Sequence, residues 1–375
     1  MLDTKKRTWA QISVSAIQYN YGKMREKLPE GCKFMGVVKA NAYGHGGVQV
    51  AKMLQRYGAD YLAVATLDEA EELRREGLTL PILILGATIP EFAERVVAID
   101  ATQTITSLDV AKETSSLLAK AGKTMKVHIK LETGMGRTGF NVKKGDVSEV
   151  IKAVGMPGFD VEGIFTHCAV SDAADGEEYT RAQFKCFIDA VDKIEKEAGI
   201  QFKLRHCANS GVMVNYPEMY LDMVRPGIAL YGVYPGSREK GLKLTHVMEL
   251  KSRIVEVHEI EAGETVSYGR TFTAEKKMKV AVLPIGYGDG LHRVLSNKLE
   301  VIVGDKRCRQ IGTICMDMCM VDVTDVENVK VGDIATIFGH DYNEILPVPE
   351  IAEKAGTISY EILTDIAARV PRFYH

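Results

Sequence analysis

Residues 61–87, YLAVATLDEAEELRREGLTLPILILGA, contain two short apolar runs separated by an amphipathic segment. The runs YLAVAT and ILILGA do not alternate with polar residues, which is typical of strands buried on both faces. Apolar residues of the segment between them recur every three positions, at Leu67, Ala70 and Leu73. Thr66 precedes this segment and Gly77 follows it, and both residue types are favoured at helix ends. The stretch therefore predicts a strand–helix–strand unit.

The same alternation extends over the first two thirds of the chain. Comparable apolar runs lie at residues 34–39, 61–66, 82–87, 103–107, 126–132, 161–167, 203–210 and 228–232. Further helical segments are followed by Gly122 and by Gly199. Eight strands with helices between them predict a (β/α)8 TIM-type barrel, which typically needs about 250 residues. A doubly wound parallel sheet is the competing α/β fold, and the number of strands alone does not exclude it.

The pattern changes near PGSREKGLK, residues 235–243, which we interpret as a polar domain boundary. Beyond it one helix candidate remains, at residues 349–354. Short β runs lie at residues 251–260, 279–284, 300–311, 320–326 and 333–338. Gly-Asp pairs at 304–305 and 332–333 supply turn residues between them. We therefore predict a barrel over residues 13–240 and a mainly-β domain over residues 241–375.

Charge and cysteine content argue against several classes of protein. The chain carries 47 Lys+Arg against 50 Asp+Glu, a net charge of −3, which provides no long-range field to gather nucleic acid or an anionic membrane. The seven cysteines are odd in number and form no CxxC pair, which indicates reduced thiols in a cytosol and no metal site. The start, MLDTKKRTWAQIS, has no apolar core, so we expect no secretory signal. The longest strongly apolar run is far shorter than the roughly 20 residues of a membrane span.

Polar side chains lie near the ends of the predicted barrel strands, where barrel enzymes place their active sites. They are Lys39, Lys130, Arg137, His167, Asn209, Ser210 and Arg225, the last of which precedes the predicted eighth strand. Lys39 closes the first run, and burial at a strand end would lower the pKa of its amine and make it a nucleophile. This predicts a lysine that forms a Schiff base. A strand-end lysine that reaches water, a structural histidine at 167 and ordinary loop arginines are the alternatives from spacing alone.

VVKANAYGHG, residues 37–46, resembles the pyridoxal-phosphate lysine signature of the bacterial alanine racemases (fold type III). Other blocks resemble the same family in order: RTWAQIS, HIKLETGMGRTGF, FTHCAVSD, HCANSG, VRPGIALYG, VSYGRTF, PIGYGDGLHR, ICMDMCMVDVTD and SYEILTDIAARVPRFYH. The resemblance covers essentially the whole chain, and the combined set is highly specific. It implies a pyridoxal-phosphate barrel followed by a β domain, with residues 1–12 as a strand that packs with the β domain.

The resemblance implies a two-base mechanism. Lys39 would hold pyridoxal 5'-phosphate as an imine and act as one base, and Tyr268 would act as the other base on the opposite face. Racemisation needs one group to remove the α-proton and another to return a proton from the other side. Because the unperturbed pKa of tyrosine is about 10, a cationic neighbour must stabilise its phenolate, and the family suggests Arg137. Arg225 would face the pyridine nitrogen, with His167 hydrogen-bonded in a chain to it.

The resemblance also assigns binding residues. The cofactor would be bound by hydroxyls, backbone N–H groups and neighbouring polar side chains, at Lys39, Tyr43, His167, Asn209, Ser210, Arg225, Gly227, Ile228 and Tyr360. The substrate carboxylate would meet Arg137 and the backbone N–H of Met316, and the supporting residues would be Asp317, Tyr287 and Arg293. Lys130 matches a lysine that many members carry as a carbamate, whose charge positions the arginine. Unmodified, Lys130 would repel Arg137 and would need another partner, such as Glu132.

Tyr268 and Met316 lie in the β domain, which in the family serves the barrel of a second subunit. A homodimer with shared active sites is therefore implied, as is interconversion of L- and D-alanine that supplies D-alanine for peptidoglycan. The chain departs from the common pattern at Leu131-Glu132, where Val-Asp is commoner, and at Met318, where many members have Gln. Neither departure touches the two bases. Family members that racemise serine differ around the residue that matches Tyr360, so the resemblance implies that a tyrosine here favours alanine.

Three other functions compete with this one. A serine or broad-specificity racemase on the same scaffold is poorly separated by sequence. A barrel decarboxylase with the same cofactor is disfavoured, because the chain has no consecutive-glycine phosphate loop and Tyr268 would have no role. A non-catalytic pyridoxal-phosphate carrier would be a single barrel ending near residue 230, so the β domain argues against it.

Overall fold

The computed structural model describes residues 6–236, 241–341 and 343–375. The chain forms two compact units that interleave along the sequence. Within the described residues, the barrel unit comprises 18–42, 46–236 and 241–244, and the β unit comprises 6–17, 43–45, 245–341 and 343–375. The domain limits drawn from the sequence stay a prediction.

The barrel unit is built on eight short parallel strands. In chain order they are Lys33–Val37, Tyr61–Val64, Ile82–Ile84, Thr102–Ile105, Met125–Glu132, Phe159–Phe165, Leu204–His206 and Met223–Val224. Each pairs with the next from the first to the seventh, and the eighth pairs with the first. A parallel bridge between Ala208 and Val224 joins the two remaining edges. The sheet therefore closes on itself, which confirms the barrel and excludes an open doubly wound sheet.

One helix precedes the first barrel strand, and the others lie in the connections between strands. In chain order these helices are Val14–Arg25, Gly47–Tyr57, Leu67–Arg75, Ala93–Ala98, Leu108–Ala121, Ser148–Val154, Glu177–Ala198 and Ser210–Asn215. The predicted caps are confirmed at Thr66, whose hydroxyl accepts the Glu69 N–H at 3.3 Å, and at Gly122 and Gly199, which are left-handed. Glycine adopts this conformation without a Cβ clash. Across the described ranges, the helices are too short or too polar to cross a bilayer.

The prediction that residues 228–232 form the eighth strand is wrong. That strand is Met223–Val224, and Ile228–Tyr231 forms a 3-10 turn. Pro226 intervenes, and proline lacks the N–H that a central strand requires. The 3-10 turn is almost completely buried, and a short buried apolar run does not by itself distinguish strand from helix. Arg225 therefore follows the eighth strand instead of preceding it.

The β unit contains one large, mostly antiparallel sheet. Its strands lie in the order Glu256–Ile260, Met278–Leu283, Cys319–Asp322, Lys306–Ile311, Glu300–Val303, Ile334–Asp341, Met248–Arg253, Thr8–Ile12 and Arg372–Tyr374. The N-terminal strand pairs with Met248–Arg253 and with the C-terminal strand. Two further short pairings are Glu344–Leu346 against Ile334–Asp341 and Thr265–Val266 against Phe272–Thr273.

Local signals in the β unit are partly matched. The turn predicted at 304–305 joins two antiparallel strands, and Val321 and Val323 are buried while Asp322 between them is half-buried. The run 251–260 is interrupted, because one strand ends at Arg253 and the next begins at Glu256. The helix predicted at 349–354 extends over Val348–Ala355, and a second helix, Ser359–Thr364, was not predicted. Six residues are too few to produce a helical period.

Candidate active site

Lys39 follows the first barrel strand, at the start of a left-handed turn. Ala40, Asn41 and Ala42 have φ between 50° and 54° and ψ between 44° and 53°. Each non-glycine residue in this conformation costs about 1–2 kcal/mol, so the surroundings must hold it. The Ala40 N–H donates to Glu69 Oε1 at 2.6 Å, and Asn41 Oδ1 accepts the Gly47 N–H at 2.7 Å. The turn therefore fixes the backbone immediately after the lysine.

The amine of Lys39 is half-buried at the carboxyl end of the barrel strands. Burial lowers its pKa, the positive charge of Arg137 lowers it further, and Glu69 opposes both effects. A larger fraction of the amine is therefore neutral than for a lysine in water. A neutral amine is the form that attacks a carbonyl carbon.

Arg225 is buried just beyond the eighth strand, with 4% of its surface exposed. Its Nη1 donates to Nδ1 of His206 at 2.7 Å, and its Nη2 donates to the Thr166 carbonyl at 2.9 Å. Burial lowers the pKa of Arg225 to about 10, so the guanidinium stays charged at neutral pH. Nη2 also lies 3.4 Å from Nδ1 of His167, which brings these two predicted site residues together.

Two further histidines extend this contact through the barrel interior, and sequence reasoning missed both. Nε2 of His206 lies 2.9 Å from Nδ1 of His128, and Nε2 of His128 lies 3.4 Å from Glu162 Oε2. Tyr61 hydrogen-bonds to the same carboxylate. His128 and His206 have no exposed surface, and burial lowers the pKa of both. Histidines inside the apolar runs KVHIKLE and KLRHCANS were the available signal.

His167 is half-buried at the end of the sixth strand. Burial is the main cause that holds its pKa well below the usual value, and Arg225 and Arg137 add to it. The imidazole is therefore neutral. Nε2 of His167 lies 3.4 Å from Nδ2 of Asn209, whose Oδ1 caps the helix Ser210–Asn215 by accepting the Val212 N–H at 2.9 Å.

Ser210 lies beside Asn209 and contacts the turn after the eighth strand. Its hydroxyl oxygen accepts the N–H of Gly227 at 2.9 Å and that of Ala229 at 3.3 Å. Gly227 and Ile228 are buried. A hydroxyl and several backbone N–H groups therefore lie together at the closing edge of the barrel.

Lys130 and Glu132 both serve the loop that carries Arg137. Nζ of Lys130 donates to the Thr138 carbonyl at 2.8 Å, and burial, aided by Arg137, lowers its pKa to about 8. Glu132 accepts the N–H of Gly134 at 2.6 Å and that of Arg137 at 3.3 Å. Burial alone would raise the pKa of Glu132, but these N–H donors lower it. Glu132 thus organises the loop backbone, and Lys130 has a loop carbonyl as its hydrogen-bond partner.

Tyr43 and Tyr360 lie together in the β unit, with ring centroids 5.9 Å apart. The segment that carries Tyr43 is held closely: a Cβ on Gly44 would lie 2.1 Å from the Leu363 carbonyl oxygen. Arg372 Nε also donates to the Gly44 carbonyl at 3.0 Å. Burial raises the pKa of Tyr43, so its phenol keeps its proton.

Tyr268, Tyr287 and Met316 are exposed side chains on converging loops of the β unit, and Tyr268 is 71% exposed. The Tyr287 N–H donates to the Cys315 carbonyl at 3.1 Å, and the Thr313 hydroxyl donates to the Tyr268 carbonyl at 2.7 Å. The loops that carry the three residues are therefore joined. Arg293 is exposed in the 3-10 turn Arg293–Leu295.

Asp317 is tied to a buried carboxylate that sequence reasoning missed. Arg369 bonds Asp317 through Nη2 and Asp289 through Nε, both at 2.8 Å. Asp289 has no exposed side-chain surface, and its Oδ1 also forms a salt bridge with Nη2 of Arg7 at 2.7 Å. The signal was available as the aspartate of GYGDG. In the described part of the chain, no three or more His, Cys, Asp or Glu side chains are grouped to hold a metal ion.

Two models of known protein families match the chain. The model of the alanine racemase N-terminal domain matches residues 12–235, and that of the alanine racemase C-terminal domain matches residues 247–374. The chain belongs to the alanine racemase family. The family match spans both parts of the chain, which argues against the single-barrel carrier and the barrel decarboxylase.

Individual relatives agree with this family. Alanine racemase from Desulforamulus reducens is 45% identical over 372 residues, which are 99% of each chain. The alanine racemase structure from Clostridium difficile 630 has a TM-score of 0.94 at 38% identity and covers 100% of this chain and 97% of that chain. The Bacillus anthracis alanine racemase with bound L-Ala-P has a TM-score of 0.93 at 34% identity and covers 99% of this chain and 95% of that chain. The fold of the chain is that of an alanine racemase.

Proposed function

We propose that the protein interconverts L- and D-alanine with pyridoxal 5'-phosphate as its cofactor. The observation that carries the proposal is Lys39, a half-buried lysine of lowered pKa at the carboxyl end of a barrel strand. A neutral amine in that position can bond covalently to the cofactor's aldehyde. Relatives named alanine racemase at up to 45% identity support the choice of alanine as substrate.

The residues at the barrel mouth fit this cofactor. Arg225 offers a buried charged donor for a ring nitrogen, and the neighbouring His167 is neutral. In our proposal the Ser210 hydroxyl and the Ile228 N–H donate to the phosphate dianion, and the Gly227 N–H, which donates to the Ser210 hydroxyl oxygen in this structure, turns to the phosphate when it binds. In our proposal Asn209 orients His167, while Tyr43 and Tyr360 add hydroxyl donors. When bound, pyridoxal phosphate supplies a conjugated ring that delocalises the electron pair left on Cα after proton removal.

Lys39 and Tyr268 are the proposed bases. One removes the α-proton as the other returns a proton to the opposite face, and their roles exchange in the reverse direction. Lys39 is suited to this role because its lowered pKa makes the free amine accessible. In the proposal a cation, Arg137, stabilises the phenolate form of Tyr268.

Arg225 is proposed to keep the ring nitrogen unprotonated. A guanidinium has donors only and does not yield its proton at neutral pH, so it hydrogen-bonds to a nitrogen that retains its lone pair. Arg225 in this position would leave the bound cofactor a weaker electron sink and would therefore disfavour transamination. His206 supports this role because it fixes the direction of the guanidinium.

The substrate carboxylate is proposed to meet Arg137 and the backbone N–H of Met316, with Asp317, Tyr287 and Arg293 at the entrance. Lys130 would position Arg137 as a carbamate, formed when its neutral amine adds carbon dioxide and releases a proton. The pKa of about 8 at Lys130 supports this, because much of the amine is neutral near that pH. Protein equilibrated with 13C-bicarbonate should give a carbamate carbon signal that Lys130→Gln abolishes. An identical signal in that variant would rule out Lys130 as the site.

We also propose a homodimer in which Tyr268 and Met316 of one chain complete the barrel site of the other. The exposure of these side chains supports it, because large apolar groups exposed together commonly mark an interface. The seven free cysteines fit a reducing cytoplasm, where the product would supply D-alanine for peptidoglycan.

Chiral analysis of products tests the proposed reaction. Purified protein with added pyridoxal phosphate should convert L-alanine to D-alanine faster than it converts L-serine. Borohydride reduction followed by mass spectrometry should place the cofactor on Lys39. The Lys39→Met variant should form neither D-alanine nor the reduced cofactor adduct. The Lys52→Met variant, which removes a surface lysine paired with Glu76, should form both. Absence of D-alanine would refute the reaction, and faster conversion of serine would establish a serine racemase instead.

A further inference from the structure

We infer that Thr313 is a positioning residue for Tyr268, and that a chain of hydroxyl and amide groups behind it holds the loop that carries the proposed second base. The inference rests on the proposed role of Tyr268. The Thr313 side chain is 4% exposed, and its hydroxyl lies 2.7 Å from the Tyr268 carbonyl oxygen. Thr313 has no place in the binding or catalytic machinery proposed above.

The donor and the acceptor can be assigned for every hydrogen bond in the series behind Tyr268. The Tyr268 carbonyl only accepts, so the Thr313 hydroxyl must donate to it. Thr313 then has only lone pairs for the Thr271 hydroxyl at 3.3 Å, so Thr271 donates to Thr313. Thr271 in turn accepts from Nδ2 of Asn297 at 3.0 Å. Asn297 is oriented by the Gly312 N–H, which donates to its Oδ1 at 2.6 Å. The Tyr268 carbonyl therefore lies at the end of one ordered series of donors.

A second bond runs in the opposite direction between the same two segments. The Ser267 hydroxyl donates to the Thr313 carbonyl at 2.6 Å, while the Thr313 hydroxyl donates to the Tyr268 carbonyl. Two adjacent residues of one loop are thus bonded to both the backbone and the side chain of a single residue. This reciprocal pair holds the peptide plane after Tyr268 through its carbonyl and anchors the preceding residue through the Ser267 side chain.

The loop needs this restraint because its backbone is strained. Ser267 has φ 67° and ψ −176°, a region occupied essentially only by glycine, and Arg270 has φ 51°. Each such residue costs about 1–3 kcal/mol. The loop therefore keeps this shape only while contacts from outside it compensate the strain.

Close packing brings the two segments together. Gly312 has φ 74°, and a Cβ there would lie 2.7 Å from the Val266 carbonyl oxygen and 3.0 Å from Cβ of Ser267. Glycine is therefore required at this point, and it places Thr313 directly against the loop.

Within its own chain, the backbone largely decides where the Tyr268 ring points. With 71% of the residue exposed, few side-chain contacts within the β unit restrict its rotamer. The direction of its Cα–Cβ bond follows from the backbone that Thr313 holds at the Tyr268 carbonyl and that the Ser267 side chain anchors one residue earlier. Loss of the Thr313 hydroxyl would therefore spread the phenol over more positions without altering any group that touches the substrate.

Hydrogen exchange at the substrate Cα tests the inference in the holoenzyme. In deuterated solvent, the first exchange of each enantiomer reports the base that removes its proton. Thr313→Val should slow exchange of one enantiomer about tenfold, the factor for one lost hydrogen bond. It should be the enantiomer most affected by Tyr268→Phe. Thr313→Ser should restore the rate, and Thr271→Val should give a smaller loss of the same kind.

A matched control separates positioning from stability. Thr336 is also a buried β-unit threonine, with no exposed surface, and its hydroxyl donates to Asp341 at 2.7 Å. Thr336→Val should leave the ratio of the two exchange rates unchanged. Amide hydrogen–deuterium exchange across residues 267–271 should accelerate at least about fivefold in Thr313→Val and remain unchanged in Thr336→Val.

The outcomes are distinct. Equal slowing of both enantiomers by Thr313→Val, or failure of Thr313→Ser to restore the rate, would overturn the inference even where Tyr268→Phe acts on one enantiomer. If Tyr268→Phe itself slows both enantiomers equally, the assignment of Tyr268 as second base fails. The amide exchange then decides the role of Thr313: faster exchange at 267–271 upholds the restraint on the loop, and unchanged exchange overturns it.

Discussion

Arg225 Nη1 lies 2.7 Å from Nδ1 of His206, and this contact fixes the protonation of an entire row of side chains. A guanidinium cannot accept, so Nδ1 of His206 carries a lone pair and its Nε2 carries the proton. That proton is donated to Nδ1 of His128, and Nε2 of His128 donates to Glu162. A charged group at the barrel mouth is thereby connected to a carboxylate through two neutral imidazoles.

The first prediction concerns this connection. Glu162→Gln keeps an acceptor for His128 and should preserve both histidine tautomers. Glu162→Met leaves the Nε2–H of His128 buried without an acceptor and should lower the free energy of unfolding by about 1–3 kcal/mol. Side-chain 15N spectra of the cofactor-free protein and urea unfolding measure the two effects. A protonated Nδ1 on His206 in the unmodified chain would contradict the assigned direction.

The second prediction concerns Arg225 itself. Arg225→Glu should increase the fraction of cofactor converted to pyridoxamine phosphate during turnover of alanine, because an acid in that position shares a proton with the ring nitrogen and strengthens the electron sink. The amount is measured chromatographically after the protein is denatured. Arg205→Lys, at a half-buried salt bridge to Asp222, is the control. If the amount of pyridoxamine phosphate does not increase in Arg225→Glu, the proposed role of Arg225 is wrong.

The third prediction concerns Tyr268. Tyr268→Phe should reduce racemisation by at least about 100-fold, the usual effect of losing a general acid–base group. Proton exchange should fail preferentially for one enantiomer, while Lys39 continues to exchange the other. Tyr19→Phe, at an exposed tyrosine of the helix Val14–Arg25, is the control. Equal loss for both enantiomers would count against two separate bases.

The fourth prediction follows from the pKa of about 8 at Lys130. The unfolded lysine has a pKa of about 10.4, so the unfolded state binds more protons between these values and stability from this group rises with pH. Below pH 8 Lys130 is protonated in both the folded and the unfolded state, so the full free-energy cost of burying its charge remains. In carbon dioxide-free buffer, the Lys130→Met variant should therefore be more stable than the unmodified chain near pH 7, by up to about 3 kcal/mol. This difference in the free energy of unfolding should shrink toward pH 10. A difference that is constant with pH would exclude the effect.

The fifth prediction compares two aspartates that share Arg369. Asp289 is fully buried and Asp317 is 53% exposed. Asp289→Asn should lower the free energy of unfolding by about 2–4 kcal/mol, since a buried, charge-assisted contact with two arginines is lost. Asp317→Asn should cost less than about 1 kcal/mol, as exposed ion pairs do. Similar losses in denaturant unfolding of the two variants would show that burial is not the deciding factor.

The general architecture could be predicted because periodicity and end residues are local properties. The uninterrupted apolar strands, Thr66 before a helix and Gly199 after one all act within a few residues of the chain. The eighth strand was misplaced because the run at 228–232 is as apolar as a strand, and its turn results from Pro226 and from packing. Doubt between a barrel and an open sheet ended only with the bridge from Ala208 to Val224, which joins the seventh strand to the eighth.

In the candidate site too, some features could be predicted from the sequence and others became visible only in the folded chain. The sequence by itself placed Lys39 and His167 at strand ends but put Arg225 before a strand that it follows, and its blocks indicated the family, because such motifs are contiguous in the chain. Only the tertiary structure decided that His206 and His128 link Arg225 to Glu162 and that Thr313 holds the Tyr268 loop. These contacts join residues that are distant in sequence, and the direction of each hydrogen bond depends on which donor the folded chain places beside which acceptor.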